Sequence, residues 1–186
     1  LSIDSTSAAV AEAALAAGAD WINDTSAGRD SLDMLALAAD RGAPLVLMHR
    51  QGMPRTMQQA PSYRHVVAEV RDFLMERAAA AMAAGVAADH ILIDPGIGFG
   101  KRRAHNLALL AGLGELVALS YPVLLGASRK RFMGALCDEA DPTRLVHATT
   151  ATTALGVAAG VRVFRVHDVA ANRQAADVAF AITVAS

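Results

Sequence analysis

The chain has 186 residues, of which 54% are hydrophobic and 19% are charged, and its formal net charge is −1. A domain of this size buries roughly 70% of its unfolded surface, so one sizeable core is available. The near-neutral charge gives no broad basic field, which argues against nucleic acid or an acidic membrane as a partner. The single cysteine, Cys137, excludes an intramolecular disulfide framework and favours a reducing compartment, which we expect to be the cytoplasm.

Short apolar runs alternate with alanine-rich stretches along the whole chain. The apolar runs predict six strands, near residues 2–4, 20–23, 45–48, 91–94, 123–126 and 162–166. Between and after them, cap and stop residues predict six helices, near residues 8–17, 31–41, 63–84, 104–119, 143–159 and 170–184. The longest apolar stretches fall short of the roughly 20 residues of a membrane span, so we assign them to buried helices.

Strictly alternating strands and helices predict an α/β fold with a parallel sheet. Six units in 186 residues give about 31 residues each, whereas a (β/α)8 TIM barrel usually has about 250 residues. We therefore predict a single domain over 1–186 that forms a partial barrel of about six βα units, with two units preceding Leu1. Its end strands would be exposed edges, so we expect the isolated piece to be marginally stable or to aggregate.

Each predicted strand ends in residues that could do chemistry. In a parallel barrel all strands point the same way, and the active site lies at their carboxyl ends. We therefore expect one cavity to collect the residues at these ends, which are Asp4, Asn23, Met48, His49, Asp94, Gly126, Ser128, Lys130, Arg165 and His167. Met48 could lie against a ring face, and His49 is either a rim ligand or a structural histidine.

The segment 94–101, Asp-Pro-Gly-Ile-Gly-Phe-Gly-Lys, is the sharpest local signal. Three glycines would let the backbone approach a ligand closely and offer amide donors to it. It is neither a P-loop, because Pro95 and Arg102 break that pattern, nor a G-x-G-x-x-G turn. A tight turn between strand and helix is the alternative.

Asp4, Asn23 and Asp94 could together hold a flat heterocycle rich in N–H groups, since carboxylates accept and an amide both accepts and donates. The competing interpretation is that these residues cap helices, which both residue types favour. Three such residues at three strand ends favour the ligand.

The last two strand ends carry cations. Lys130 could donate to a ring carbonyl and Ser128 could contact a second substrate, although a solvated basic turn is also possible. Arg165 and His167 lie on the same side of an extended segment and suit an anion such as pyrophosphate. A structural pairing of these two with Asp168 is the alternative.

Several of these runs, in order along the chain, resemble the dihydropteroate synthase family. They are Ser2-Ile3-Asp4-Ser5-Thr6, Ile22-Asn23-Asp24, Leu47-Met48-His49-Arg50-Gln51-Gly52, Met57-Gln58-Gln59-Ala60-Pro61, the segment 94–101, Ser128-Arg129-Lys130 and Arg165-Val166-His167-Asp168. The resemblance implies a TIM barrel that condenses 6-hydroxymethyl-7,8-dihydropterin pyrophosphate with p-aminobenzoate, giving 7,8-dihydropteroate for folate synthesis. It also implies a target of sulfonamides.

The resemblance assigns roles to residues. It implies that Asp94, Lys130 and Asp4 are catalytic, and that the pterin is bound by Asp4, Asn23, Met48, Asp94, Gly126 and Lys130. It places p-aminobenzoate beside Phe99, Ser128 and Lys130, and pyrophosphate on Arg165 and His167. It further implies Mg²⁺ carried with the pyrophosphate, whose protein ligand would lie upstream of Leu1, and a homodimer of the full-length protein.

Two other functions compete with this one. A non-catalytic pterin-binding pseudoenzyme or truncated homologue is possible, because the first two strands of the family and their loops precede Leu1. A folate-dependent methyltransferase shares a pterin-binding barrel. However, methyl transfer leaves no pyrophosphate for Arg165 and His167 to hold.

Overall fold

The computed structural model describes residues 1–185, and over that range it contains six parallel strands and eight α-helices. The strands are β1 Ser2–Asp4, β2 Trp21–Asp24, β3 Leu45–Met48, β4 Ile91–Asp94, β5 Leu124–Leu125 and β6 Val163–Phe164. The helices are α1 Ala8–Ala16, α2 Met34–Arg41, α3 Val66–Ala83, α4 Arg103–Ala111, α5 Leu113–Val117, α6 Arg131–Cys137, α7 Val146–Ala158 and α8 Val169–Thr183. Short 3₁₀ turns lie at Ala88–His90 and Pro142–Arg144.

The strands follow one another in chain order and curl into part of a barrel. β1 to β4 form one parallel sheet, and a bridge between Ile93 and Val123 joins β4 to the segment leading into β5, which pairs with β6. The strands at the two ends, β1 and β6, each pair with a single neighbour. Even so, Arg165 Nη1 after β6 lies 4.0 Å from Asp4 Oδ2 of β1. Only a strongly curved sheet brings its two ends so close, so the fold is the expected partial (β/α)8 barrel.

The strands are apolar on both faces because both faces are covered. Ile22, Leu45 and Ile91 point outwards and pack with helix residues such as Met34 and Ala78. The alternate positions point into the barrel, where Val46, Leu92 and Leu124 form a separate buried cluster with Trp21 and Val163. Continuous apolar runs are what strands covered on both sides require.

The helices depart from the sequence predictions in two places. The single helix expected over 104–119 is divided at Gly112 into α4 and α5. A side chain at Gly112 would press against Val67 of α3, so this glycine permits close packing there. The sequence analysis also did not predict α6. This helix has only seven residues and contains a glycine, Gly134. No helix within residues 1–185 combines the length and the apolar character needed to cross a membrane.

Candidate functional site

The predicted site residues lie one layer above the apolar cluster inside the barrel. Side chains alternate between the two faces of a strand, so residues two apart point the same way. The inner cluster has a member in each of β2 to β6, and the residue two positions further on is a candidate in every case. These pairs are Trp21 and Asn23, Val46 and Met48, Leu92 and Asp94, Leu124 and Gly126, and Val163 and Arg165.

A cavity of about 660 Å³ opens at this end of the barrel, within the size range of small-molecule sites. The resemblance assigned a ligand to ten residues, and the structure brings seven of them together on the cavity wall. These are Asp4, Phe99, Gly126, Ser128, Lys130, Arg165 and His167. Four further residues line it that the sequence analysis did not select, namely Thr25, Pro54, Arg129 and Val166. Arg129 and Val166 lie inside segments quoted above, and Thr25 and Pro54 lie within two residues of one, which is the only signal that pointed to them.

The other three predicted residues do not line this wall and form what we call the buried floor: Asn23, Met48 and Asp94. Met48 and Asp94 are direct partners in the pairing of β3 with β4. Asn23 is only 4% exposed, and its Oδ1 atom has no hydrogen-bond partner. A buried carbonyl oxygen without a donor costs free energy, so this atom is available to a donor that a ligand would bring.

The Asp94 carboxyl group is buried among cations. It is 2% exposed, and the Gly96 amide donates to its Oδ1 at 2.7 Å. Burial raises the pKa of Asp94, although the Gly96 hydrogen bond and the charges of Arg165, Lys101 and Lys130 act in the opposite direction. The protein therefore holds an acid here whose ionised form is destabilised by its surroundings.

The glycines of segment 94–101 serve packing within the protein, which corrects the interpretation that they cradle a ligand. A Cβ atom at Gly96 would overlap with the carbonyl oxygen of His49, and one at Gly100 with that of Gln51. Both glycines also have positive φ, of 65° and 61°. The Gly98 amide is used as well, because it donates to Asn106 Oδ1 at 2.8 Å. The loop thus lies directly on the chain that leaves β3.

Lys101 fastens this loop from below, a role that the sequence did not reveal. It is 3% exposed, and its Nζ lies 2.9 Å from His49 Nδ1, 2.9 Å from Gly96 O and 3.1 Å from Phe99 O. Burial, opposed in part by Asp94, lowers the pKa of Lys101 to about 7. Burial and the Lys101 charge lower the pKa of His49 to about 3. His49 is therefore a neutral structural histidine beneath the loop and not a ligand at the rim.

The opposite wall, which we call the cationic rim, carries Lys130, Arg165 and His167. Lys130 Nζ lies 4.4 Å from the centre of the Phe99 ring, and burial together with Arg165 lowers the pKa of Lys130. The Arg165 side chain is 49% exposed and passes over Gly126, where a Cβ would approach its Nη2 to 3.4 Å. The glycine thus leaves room for the guanidinium group.

Ser128 and His167 form a pair across the two loops that carry this rim. Ser128 Oγ lies 2.9 Å from His167 Nδ1, and the His167 amide donates to the same oxygen at 3.2 Å. The alternative in which Asp168 holds Arg165 and His167 is wrong for the arginine. The Asp168 carboxylate instead accepts two hydrogen bonds from Arg129, at 2.7 and 3.2 Å.

Comparison with known proteins identifies the family. The profile described as pterin binding enzyme matches residues 1–167. The chain belongs to the pterin-binding enzyme family. A dihydropteroate synthase from Synechocystis is 43% identical over 182 residues, which are 98% of this chain and 63% of that protein. This chain thus spans about 63% of the length of the curated relatives that it matches.

Solved structures of family members share the fold. The dihydropteroate synthase from Thermus thermophilus, solved in complex with 6HMPPP, superposes with a TM-score of 0.92 at 47% identity and covers 97% of this chain and 71% of its own. The same enzyme has been solved with 4-aminobenzoate. The Yersinia pestis enzyme in a sulfonamide drug complex reaches a TM-score of 0.96 at 37% identity and covers 100% of this chain and 67% of its own. The partial barrel described above is thus part of a family TIM barrel.

Proposed function

We propose that the full-length protein is a dihydropteroate synthase that condenses 6-hydroxymethyl-7,8-dihydropterin pyrophosphate with p-aminobenzoate. The observation that carries this proposal is the juxtaposition of a cationic rim with a buried floor of hydrogen-bond acceptors, one of which has no donor. Asn23 and Asp94 offer buried oxygens to N–H donors, while Arg165 presents a positive charge and His167 a ring nitrogen at the mouth. A ligand with an N–H-rich ring at one end and pyrophosphate at the other fits both.

The floor suits the pterin ring. Asn23 Oδ1 needs a donor, and Asp94 can accept from an amino group and an adjacent ring N–H at once. Met48, paired with Asp94 across β3 and β4, would supply apolar contact to the ring. Lys130 can donate to a ring carbonyl, because its Nζ is held over the Phe99 ring at the side of the cavity.

The rim suits the leaving group and the second substrate. Arginine binds phosphate oxygens through a planar fork of donors, and Arg165 is free of any tie to Asp168. His167 Nδ1 is engaged by Ser128, which leaves its second ring nitrogen to meet the anion. Phe99, Ser128 and Lys130, which line the same wall, would border p-aminobenzoate.

The proposed reaction needs no covalent enzyme intermediate. The C–O bond breaks first, and pyrophosphate leaves with the electron pair while a resonance-stabilised pterin cation remains. The arylamine nitrogen then attacks the exocyclic carbon and loses a proton. Arg165 and His167 stabilise the departing anion, and the carboxylates of Asp94 and Asp4 face the developing positive charge.

Mg²⁺ is part of the proposal only as a companion of the pyrophosphate. Residues 1–185 contain no group of three or more His, Cys, Asp or Glu side chains that could hold a metal ion, so they do not fit a protein-held site. Mg²⁺ commonly enters proteins on substrate phosphates with few protein ligands. No step above is routed through it.

We also propose that the full-length protein is a cytoplasmic homodimer. The end of α8 supports the dimer, because Val178 and Ile182, four positions apart on one face of the helix, both expose large apolar side chains there. Sedimentation velocity of the full-length protein tests it, and a monomer at micromolar concentration would contradict it.

The function is tested by incubating the full-length protein with both substrates and measuring 7,8-dihydropteroate and pyrophosphate. We expect stoichiometric formation of the two products and competition between a sulfonamide and p-aminobenzoate. Replacing Lys130 with Met should lower kcat/KM by about 10²- to 10³-fold. Pterin pyrophosphate binding without turnover would instead identify a pseudoenzyme, and an absence of binding would remove the assignment.

A further inference from the structure

The loops after β5 and β6 remain in register beyond the point where the strands end. In the sheet, Leu124 pairs with Val163 and Leu125 with Phe164, and the Arg165 amide still donates to Leu125 O at 3.1 Å. These pairs are 39 positions apart in sequence. Ser128 with His167 and Arg129 with Asp168 are also 39 apart, so the pairing continues through side chains after the backbone ladder has ended.

The outer of these two links, Arg129 with Asp168, has the geometry of a strong ion pair. Arg129 Nη2 donates to Asp168 Oδ1 at 2.7 Å and Nε to Oδ2 at 3.2 Å, so both carboxylate oxygens are engaged. Each side chain is about one quarter exposed. The hydrogen bond from Arg129 lowers the pKa of Asp168, which keeps the carboxylate ionised. Two-point pairing of this kind fixes orientation as well as distance.

Both partners are held by the scaffold behind them. Arg129 has a φ of 56°, unusual for a residue other than glycine, and its amide donates to Thr149 Oγ1 of α7 at 3.2 Å. Asp168 precedes α8, but its carboxylate does not cap that helix. Its carbonyl oxygen instead accepts from Asn172 Nδ2 at 2.9 Å. Asn172 Oδ1 in turn accepts from Thr153 Oγ1 of α7 at 2.6 Å.

The link lies between two parts of the site with different tasks. Lys130, the residue after Arg129, belongs to the pterin and p-aminobenzoate side of the cavity. His167, the residue before Asp168, belongs to the anion side together with Arg165. All of them, with Arg129 itself, line the same cavity. A link one residue away from each side sets the separation between them.

We propose that Arg129 and Asp168 are positioning residues, forming a clasp that fixes the distance between the heterocycle side and the anion side of the site. This inference rests on the proposed function. Neither residue needs to touch the reacting atoms. The clasp matters most to a ligand that must reach both sides at once, because such a ligand gains from correct spacing whereas each separate half does not.

The test measures three affinities in the full-length protein: those of 6-hydroxymethyl-7,8-dihydropterin pyrophosphate, of the same pterin without pyrophosphate, and of inorganic pyrophosphate. The two halves are measured by competition against the linked ligand. We expect Asp168→Asn and Arg129→Lys to weaken the linked ligand about tenfold or more. The affinities for the pterin alone and for inorganic pyrophosphate should each change by less than about twofold. The exchange of Arg129→Asp with Asp168→Arg should recover part of the loss.

Asp177→Asn is the matched control, because Asp177 accepts from Arg173 at 2.8 Å in an exposed pair on the same helix, α8. It should leave all three affinities unchanged. Two outcomes would overturn the clasp proposal. In the first, the variants lower the affinities for the linked ligand and for both halves in the same proportion; in the second, they leave the affinity for the linked ligand unchanged. If Asp168→Asn does not fold, Arg129→Lys, which keeps the charge, decides. If the unmodified protein fails to bind the linked ligand, the proposed function fails instead.

Discussion

The buried floor and the cationic rim are built in opposite ways. Asn23, the last residue but one of β2, is 4% exposed, and Asp94, the last residue of β4, is 2% exposed. The register of the strands fixes both residues before any ligand arrives. Arg165 and His167 lie in a loop beyond β6, and the Arg165 side chain is 49% exposed. The floor is therefore preorganised by the sheet, while the rim depends on contacts between neighbouring loops. The proposed function, in which the site first recognises a ring and then releases an anion, can use both kinds of support.

The two regions also differ in their cost to the folded protein. Water solvates Arg165 at the rim, so that charge is tolerated at little expense, whereas burial lowers the pKa of Lys130 on the same wall. The floor leaves Asn23 Oδ1 without a donor and holds Asp94 where its ionised form is disfavoured. Such groups lower the stability of the empty protein and become favourable only when a ligand supplies the missing partners.

The largest expected effect comes from replacing the floor acid. Asp94→Asn removes the carboxylate but keeps an oxygen that can accept from Gly96. Turnover should fall by about 10²- to 10³-fold, because a buried charge-assisted contact to the ring is lost. The melting temperature at neutral pH should rise, since the raised pKa of Asp94 means that its ionised form destabilises the native state above the ordinary aspartate range.

Kinetics and thermal melting from pH 3 to pH 8 check both halves of this prediction. The gain in melting temperature should disappear as the pH falls below about 4, where both states of the unmodified protein bind the proton. Asp72→Asn, in the exposed Arg71–Asp72 pair, is the control and should change neither quantity. A less stable Asp94→Asn variant would contradict the view that the floor is costly.

A smaller effect is expected at the rim. Arg165→Ala should weaken pyrophosphate binding by about 10- to 100-fold, the range of a charge-assisted hydrogen bond. Because this side chain is half exposed, the loss should shrink as ionic strength rises. Competition titrations with pyrophosphate at several salt concentrations measure it. Equal losses at all salt concentrations would show that the rim is as shielded as the floor.

The residues at the strand ends could be predicted from the sequence, whereas the contacts between the loops could not. Strand ends are readable because apolar runs on β3 and β4 stop at Met48 and Asp94, and parallel topology then places both at one end of the barrel. The two-residue spacing from Val46 and Leu92 is also in the sequence. These features depend on local pattern and on a fold rule, both of which a single chain carries.

The connections between loops depend on distances that no local pattern contains. The glycines of segment 94–101 suggested a ligand cradle, whereas Gly96 and Gly100 make room for the chain after β3. His49 suggested a rim ligand, whereas a lysine 52 positions away holds it beneath the loop. Asp168 could pair with several nearby cations, and only the tertiary structure selects Arg129.

The smallest expected effect concerns Lys101 and tests whether segment 94–101 belongs to the buried region. Lys101 has a pKa of about 7, well below the ordinary value of 10.5, because burial disfavours its charge. Between these two pH values the unfolded chain binds a proton that the native state has released, so the free energy of unfolding gains a positive slope with pH from this group.

Lys101→Met abolishes that slope while filling the same space. Urea unfolding from pH 7 to pH 10 should show the unmodified protein gaining on the variant by up to about 1.4 kcal/mol per pH unit. Arg103→Met, at the start of α4, is the control, because arginine does not titrate in this range and the difference from the unmodified protein should stay constant. A constant difference for Lys101→Met as well would mean that its ammonium group stays charged beneath the loop. The four acceptors around Nζ would then outweigh burial, and the loop would be held by an ion rather than by a neutral amine.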